Sequence, residues 1–189
     1  SAFQHGQRGI PNLERQIAET PALFVQAVGL AYKRKGGGED PPEWGAANEE
    51  ARGNIASQAY RLLHNIKRIP GTGEDGSVDV TKLKTWITDV RGQCKSCGRE
   101  DVGDSAIGEL LSKSGAGEDG IWPIPAIRDV LEEVGNQTIA DGMSVGLYNQ
   151  RGAHWRDVGG RQERDLATKY RGWSTQVTLE WPFASRLLR

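Results

Sequence analysis

The string GTGEDGSV at residues 71–78 returns as GAGEDGIW at residues 115–122, 44 positions later. Each copy leads into a helical pattern whose apolar residues keep the same register. The aligned pairs are Leu83 with Ile127, Trp86 with Val130, Ile87 with Leu131 and Val90 with Val134. Periods of about 40 to 47 residues are typical of stacked helical pairs, so the recurrence favours a short, irregular array of such units. A chance recurrence of one glycine-rich turn is the alternative.

Helical periodicity extends beyond these two copies, because apolar residues recur at spacings of three and four along most of the chain. The last helix should run from about Arg161 to the region of Trp181, where Pro182 breaks or kinks it. Alternating strand patterns are nearly absent. The sequence therefore predicts an all-α protein of seven to nine helices. Capping side chains and prolines mark four predicted helix starts, at Pro21, Asp79, Asp104 and Pro125.

The composition is typical of a soluble globular protein: 26% of the 189 residues are charged, 37% are hydrophobic, and the formal net charge is −1. No apolar run approaches the roughly 20 residues that span a bilayer, so no membrane partner is expected. The two cysteines form no disulfide framework and indicate a reducing compartment. The predicted location is the cytoplasm.

The ends of the chain suggest a piece of a longer protein. It starts with Ser1 and Ala2, and its one methionine is Met143. Residues 1–20 are therefore interpreted as a tag remnant and N-terminal lead-in, and residues 21–189 as a single helical domain. The final residues stop at Arg189 within an amphipathic pattern that lacks a capping signal.

The repeated turn is acidic enough to raise the question of a calcium site. With Gly76 as the sharp-turn glycine of an EF-hand loop, Gly71 and Gly73 would take ligand positions and Lys82 the place of the bidentate glutamate. None of these residues has a carboxylate. The turn is therefore interpreted as a boundary between helical units, and no metal or other cofactor is predicted.

Cys94 and Cys97 stand three residues apart, as in one half of a zinc knuckle. No second cysteine pair completes the four ligands of a structural zinc site. A redox pair is a further interpretation, because neighbouring thiols can lower a thiol pKa. The favoured interpretation is a helix end that carries two thiols.

A basic and aromatic segment at residues 148–173 contains the candidate interaction residues. Interleaved arginines and aromatics are typical of surfaces that hold phosphates and stack bases. However, Asp157, Glu163 and Asp165 halve the local positive charge, and Arg161 can pair with Asp165 across one helical turn. A solvated helix face beside a packed aromatic core is the competing interpretation. The candidates are Arg151, His154, Trp155, Arg156, Arg161 and Arg164.

No catalytic set can be assembled from the sequence, and the chain is predicted not to be an enzyme. It holds no G-x-S-x-G elbow, no P-loop, no H-E-x-x-H and no dinucleotide fingerprint. The acidic pair Glu132 and Glu133 lies on the outer side of its helical pattern and is interpreted as solvated.

Several stretches together resemble one family across nearly the whole chain. They are PALFV at 21–25 through PPEW at 41–44, residues 71–86, VGD at 102–104, GIWP at 120–123, YNQRG at 148–152 and residues 162–170. The chain is similar to the C-terminal helical region of large, uncharacterised bacterial proteins with no established activity. The resemblance implies a helical part of a larger protein, and it assigns no catalytic or binding residue.

The favoured hypothesis is a non-catalytic interaction or scaffolding segment of a larger cytoplasmic bacterial protein. Its partner would be another protein or other domains of the parent chain, with Trp155 and Arg151 as an exposed anchor. Trp155 packed inward is the alternative. The second hypothesis is a nucleic-acid-binding helical module that uses the segment 148–173. A regulatory or cofactor-binding part of an enzyme is the third.

Overall fold

The computed structural model describes residues 11–150 and 160–189. Within these ranges it is all-α, with nine α-helices, one 3-10 turn and no strand, as the sequence predicts. None of these helices is long and apolar enough to cross a membrane. The helices are α1 (Pro11–Glu19), α2 (Pro21–Ala31), α3 (Glu49–Asn65), α4 (Val80–Ser96), α5 (Glu100–Leu111), α6 (Pro125–Val134), α7 (Gln137–Gln150), α8 (Arg161–Val177) and α9 (Pro182–Leu187), and the 3-10 turn is Pro42–Trp44.

The contacts divide the chain into two compact units, Ser1–Ala106 and Ile107–Arg189. In the first unit α2 packs on α1, α3 and α4. Its core includes the edge-to-face pair of Phe24 and Trp86, whose ring centroids are 5.0 Å apart. In the second unit α9 packs on α6, α7 and α8. A single domain over residues 21–189 stays a prediction.

Local signals place most helix starts correctly. Pro21 opens α2, Pro125 opens α6, and the Asp79 carboxylate caps α4 by accepting from the Lys82 N–H at 3.0 Å. The predicted cap at Asp104 is wrong, because α5 already begins four residues earlier. Asp104 is 3% exposed, and its carboxylate is paired with Arg91, with Nε to Oδ1 at 2.8 Å.

Two features near the C-terminus differ from the sequence prediction. Pro182 was predicted to break or kink the last helix, but α8 already stops at Val177. Pro182 is instead the first residue of α9. Proline suits a first helical position, where its missing N–H costs nothing. On α7, Ile139 is buried as predicted, but Tyr148 is 68% exposed and does not join the inner face.

The first repeated turn is closed by its own backbone. The Gly73 N–H donates to the Ser77 carbonyl at 2.8 Å, and the Gly76 N–H donates to the Gly73 carbonyl at 3.3 Å. Asp75 Oδ1 accepts from both the N–H and the hydroxyl of Ser77. Gly76 has φ 82°, a left-handed conformation that favours glycine.

The second turn repeats this pattern 44 residues later. The Gly117 N–H donates to the Ile121 carbonyl, the Gly120 N–H donates to the Gly117 carbonyl, both at 2.9 Å, and Asp119 Oδ1 accepts from the Ile121 N–H. Gly120 has φ 72°. The two copies therefore share a local structure as well as a sequence. The helices that follow bury Leu83, Trp86 and Ile87 in the first copy and Ile127, Val130 and Leu131 in the second.

Because Gly120 has a positive φ, replacing it should cost more stability than replacing another glycine of the same turn. Gly120→Ala should lower the free energy of unfolding by about 1–2 kcal/mol, the cost of a left-handed L-residue. A Cβ at Gly120 meets no atom within 4 Å, so the loss would be conformational rather than steric. Gly115→Ala is the matched control, since that site is equally open and lacks a positive φ. Urea unfolding of the two variants measures the difference, and equal stabilities would contradict the prediction.

Candidate functional site

The predicted interaction residues divide into two groups. Arg151, His154, Trp155 and Arg156 lie outside the described residues, so their role stays a prediction. Arg161 and Arg164 are exposed on α8. Arg161 Nε lies 3.8 Å from Asp165 Oδ2, and the two side chains are 79% and 74% exposed. This is the pair across one turn that the sequence predicts, and such exposed pairs are weak.

A buried arginine fixes the segment that follows α2. Arg99 Nη1 and Nη2 donate to the two carboxylate oxygens of Asp40, each at 2.7 Å. Arg99 also donates to the carbonyls of Tyr32 and Cys97, and its Cζ lies 5.5 Å from the Trp44 ring centroid. These hydrogen bonds from Arg99 hold the pKa of Asp40 below its ordinary value of 3.8. The charge of Arg99 is therefore engaged within the fold.

Removing this guanidinium should destabilise the first unit. Arg99→Met should cost about 3 kcal/mol, because it leaves a part-buried carboxylate without its partner. Lys35→Met is the control, since Lys35 pairs with Asp101 on the same segment while both side chains are more than half exposed. Its cost should stay below about 1 kcal/mol. Urea unfolding at neutral pH compares the variants, and similar losses would contradict a special role for Arg99.

The same comparison should depend on pH. The folded-state pKa of Asp40 is lowered, so the pair contributes fully above pH 3.8 and loses its contribution as the pH falls through the folded-state value. The difference between the wild type and Arg99→Met should therefore shrink in acid.

A second buried arginine occupies the second unit. Arg128 is fully buried, and its Nη2 donates to Asp119 Oδ2 at 2.6 Å while its Nε donates to the Pro123 carbonyl at 2.7 Å. Its Cζ lies 4.6 Å from the Trp181 ring centroid, a cation–π contact. Burial raises the pKa of Asp119, but the Ile121 N–H and Arg128 outweigh burial and hold it below 3.8.

Two carboxylates of α6 secure the start of α9. Asp129 Oδ1 accepts from Trp181 Nε1 at 2.7 Å. Glu132 Oε1 accepts from the backbone N–H groups of Phe183 and Ala184 at 2.6 and 2.8 Å. The interpretation of Glu132 as solvated is therefore wrong, because the open N–H groups of a helix start attract a carboxylate.

The two cysteines differ in environment. Cys94 is fully buried, and burial raises the pKa of its thiol to about 12. Cys97 is half-buried, and its Sγ donates to the Cys94 carbonyl at 3.4 Å. Both thiols are free. Among the described residues, no group of three or more His, Cys, Asp or Glu side chains is arranged to hold a metal ion.

This contrast predicts unequal thiol reactivity. In the native protein a disulfide reagent such as DTNB should modify Cys97 and spare Cys94, because the thiolate is the reactive form and burial disfavours it. Cys94 should react only after unfolding in guanidinium. Cys97→Ser should abolish the native-state reaction, and Cys94→Ser should leave it intact. Rapid release of two equivalents from the native protein would overturn this assignment.

The exposed side of α8 forms a basic stripe, which we call the α8 outer face. Its members stand three, four or seven residues apart and so share one side of the helix. Glu163 is half-buried, and Lys169 turns to Trp173, with Nζ 4.5 Å from the ring centroid. The α8 outer face consists of Arg161, Arg164, Thr168, Arg171 and Thr175, all exposed.

The stripe runs into an open groove of about 710 Å³ beside the C-terminal ends of α8 and α9, the C-terminal groove. Leu179 stands in it with 98% of its surface exposed. Arg171 belongs to the predicted segment 148–173, although it is not among the six candidate residues, and it lies seven residues after Arg164, two helical turns on. Leu179 lies outside that segment and was not predicted. The groove is lined by Arg171, Ser174, Thr175, Thr178, Leu179 and Arg189.

Charge is distributed unevenly along the second unit. Residues 161–189 contain six lysines and arginines against three acidic residues, whereas residues 107–150 contain two against seven. Residues 151–160 add two arginines and one aspartate. The positive charge of this unit therefore lies mainly after residue 150, in the part of the sequence that ends with the α8 outer face and the C-terminal groove.

Comparison with known proteins adds no assignment to this site. No family model matches the chain, and no curated protein or solved structure is significantly similar to it.

Proposed function

We propose that this chain is a non-catalytic interaction or scaffolding segment of a larger cytoplasmic bacterial protein. The observation that carries the proposal is a contrast between two sets of arginines. Arg99 and Arg128 are buried and bound within the fold, whereas Arg161, Arg164 and Arg171 are exposed along one side of α8. Arginine is enriched at protein interfaces relative to the rest of the protein surface.

The carboxylates of the second unit support a non-catalytic role. General acid–base chemistry requires a carboxyl group within reach of a substrate. Asp119, Asp129 and Glu132 instead bind Arg128, Trp181 and the start of α9. These three acidic side chains are thus committed to contacts within the fold.

The two matching turns support a helical-repeat architecture for this scaffold. Each turn has the same two backbone hydrogen bonds donated by its glycines. Three of the four predicted apolar pairs are buried in both following helices, whereas Val90 is buried and Val134 is half-buried. Helical repeats present extended surfaces suited to binding other proteins.

Nucleic-acid binding is the second candidate function. It is favoured by the three exposed arginines of α8, which are Arg161, Arg164 and Arg171. Against it, Tyr170 and Trp173 are half-buried and pack edge to face at 5.2 Å. Their faces are therefore poorly placed to stack bases.

One capture experiment separates these candidates. The immobilised chain is exposed to a bacterial extract, with and without nuclease, beside an Arg164→Glu/Arg171→Glu variant. We expect a protein partner that survives nuclease and is depleted about tenfold by the variant, since a loss of 1.4 kcal/mol in binding gives that factor. The charge-matched control is Arg61→Glu/Lys82→Glu, at exposed positions of the first unit.

Each other outcome has a defined meaning. Capture that depends on nuclease-sensitive material would favour the second candidate. Equal loss in both variants would show a non-specific charge effect and count against the α8 outer face. Capture of no protein would contradict the proposed function.

A further inference from the structure

We infer that the C-terminal groove docks an acidic peptide segment that carries an apolar side chain. The inference rests on the proposed function and adds the chemistry of the partner. It follows from three properties of the groove: the charge of its lining, the direction of its hydroxyl groups and the exposure of its leucine.

The charged side chains that line the groove are those of two arginines, Arg171 and Arg189, and no lining residue has an acidic side chain. Guanidinium groups bind carboxylates through paired, charge-assisted hydrogen bonds. The surrounding residues 161–189 carry an excess of positive charge, which would attract a negatively charged segment. The electrostatics therefore select an acidic partner.

The hydroxyl groups of the groove are already used within the protein. Thr175 Oγ1 donates to the Arg171 carbonyl at 3.0 Å, and Thr178 Oγ1 donates to the Ser174 carbonyl at 2.6 Å. Ser174 itself is buried and donates to the Ser185 carbonyl. These bonds point the donor protons toward the helix backbone. The guanidinium groups are thus the main polar donors offered to a partner.

The rest of the lining is apolar. Most of the groove's surface is apolar, and Leu179, one of its lining residues, is 98% exposed. An isolated exposed leucine is common on protein surfaces, but this one lines the same groove as two arginines. Covering it with an apolar side chain would remove apolar area from water and stabilise the complex. The groove therefore combines an apolar contact with carboxylate binding.

A polypeptide fits this combination better than a nucleic acid. No aromatic residue lines the groove, so it offers bases no stacking surface. Arg164 precedes Arg171 by seven residues, which places it two turns away, roughly 10 Å along the same side of α8. A peptide with carboxylates on both sides of one apolar residue can therefore contact the groove and Arg164 together.

Fluorescence anisotropy with a labelled, end-blocked peptide of sequence EDELEDE tests the inference on the full 189-residue chain. The wild type should bind it at low salt. Leu179→Ser should weaken binding about tenfold, through loss of apolar burial. Arg171→Gln should weaken it about fivefold, through loss of a charge-assisted contact. Arg61→Gln, at an exposed site of the first unit, should leave it unchanged.

Two altered peptides test the carboxylates and the leucine of the probe separately. QNQLQNQ, without carboxylates, and EDESEDE, without the leucine, should each bind at least about fivefold more weakly than EDELEDE. Equal binding of either peptide would overturn the inference, as would no binding of EDELEDE. A single-stranded oligonucleotide of equal charge should bind no better than EDESEDE. Tighter oligonucleotide binding that is lost in Arg171→Gln would overturn the choice of a peptide.

The peptide-binding experiment can fail while the capture experiment that tests the proposed function succeeds. If EDELEDE does not bind while a captured protein is still lost from the Arg164→Glu/Arg171→Glu variant, the peptide chemistry fails and the interaction role stands. If neither binding is observed, both fail. Circular dichroism of Leu179→Ser and Arg171→Gln checks that these substitutions at exposed positions leave the helices intact.

Discussion

The burial of two guanidinium groups is the constraint on which much of this structure depends. A buried arginine must find partners for its charge, and its planar group directs those partners to fixed positions. Arg99 binds the carboxylate of Asp40 and so holds the glycine-rich segment that follows α2. Arg128 binds Asp119 and faces Trp181, and so connects a turn to the approach of α9. In each unit one buried arginine thus fixes the position of residues outside the helices, where local helix propensity does not determine the backbone.

Several charged side chains are bound within the fold, so a functional surface is expected among other, exposed residues. Asp104, Asp119 and Glu132 are each engaged by another element of their own unit. Arg161, Arg164 and Arg171 are instead exposed along α8. The proposed interaction role is therefore assigned to exposed arginines and not to the buried charged pairs.

The helices were largely predictable, because their signals are local. Pro21, Asp79 and Pro125 act within one helical turn, and the burial of Leu83 or Ile127 follows from spacing alone. The errors concern residues whose partners are distant in sequence. Glu132 accepts from N–H groups about fifty residues away, and no periodicity in α6 indicates that contact. The groove was missed for another reason: its residues are close in sequence, but they line one groove only because α9 packs back on α8.

The two repeats differ at Arg128, where the first copy has a lysine, and this difference connects the second turn to the start of α9. In the first turn Ser77 supplies both its N–H and its hydroxyl to Asp75. The second turn has an isoleucine in that place, and the remaining oxygen of Asp119 binds Arg128, where the first copy has an exposed lysine. Arg128 then faces the tryptophan that leads into α9, and α9 packs on α8 beside the groove. A small divergence between the repeats thus connects the buried core of the second unit to the surface for which we propose a function.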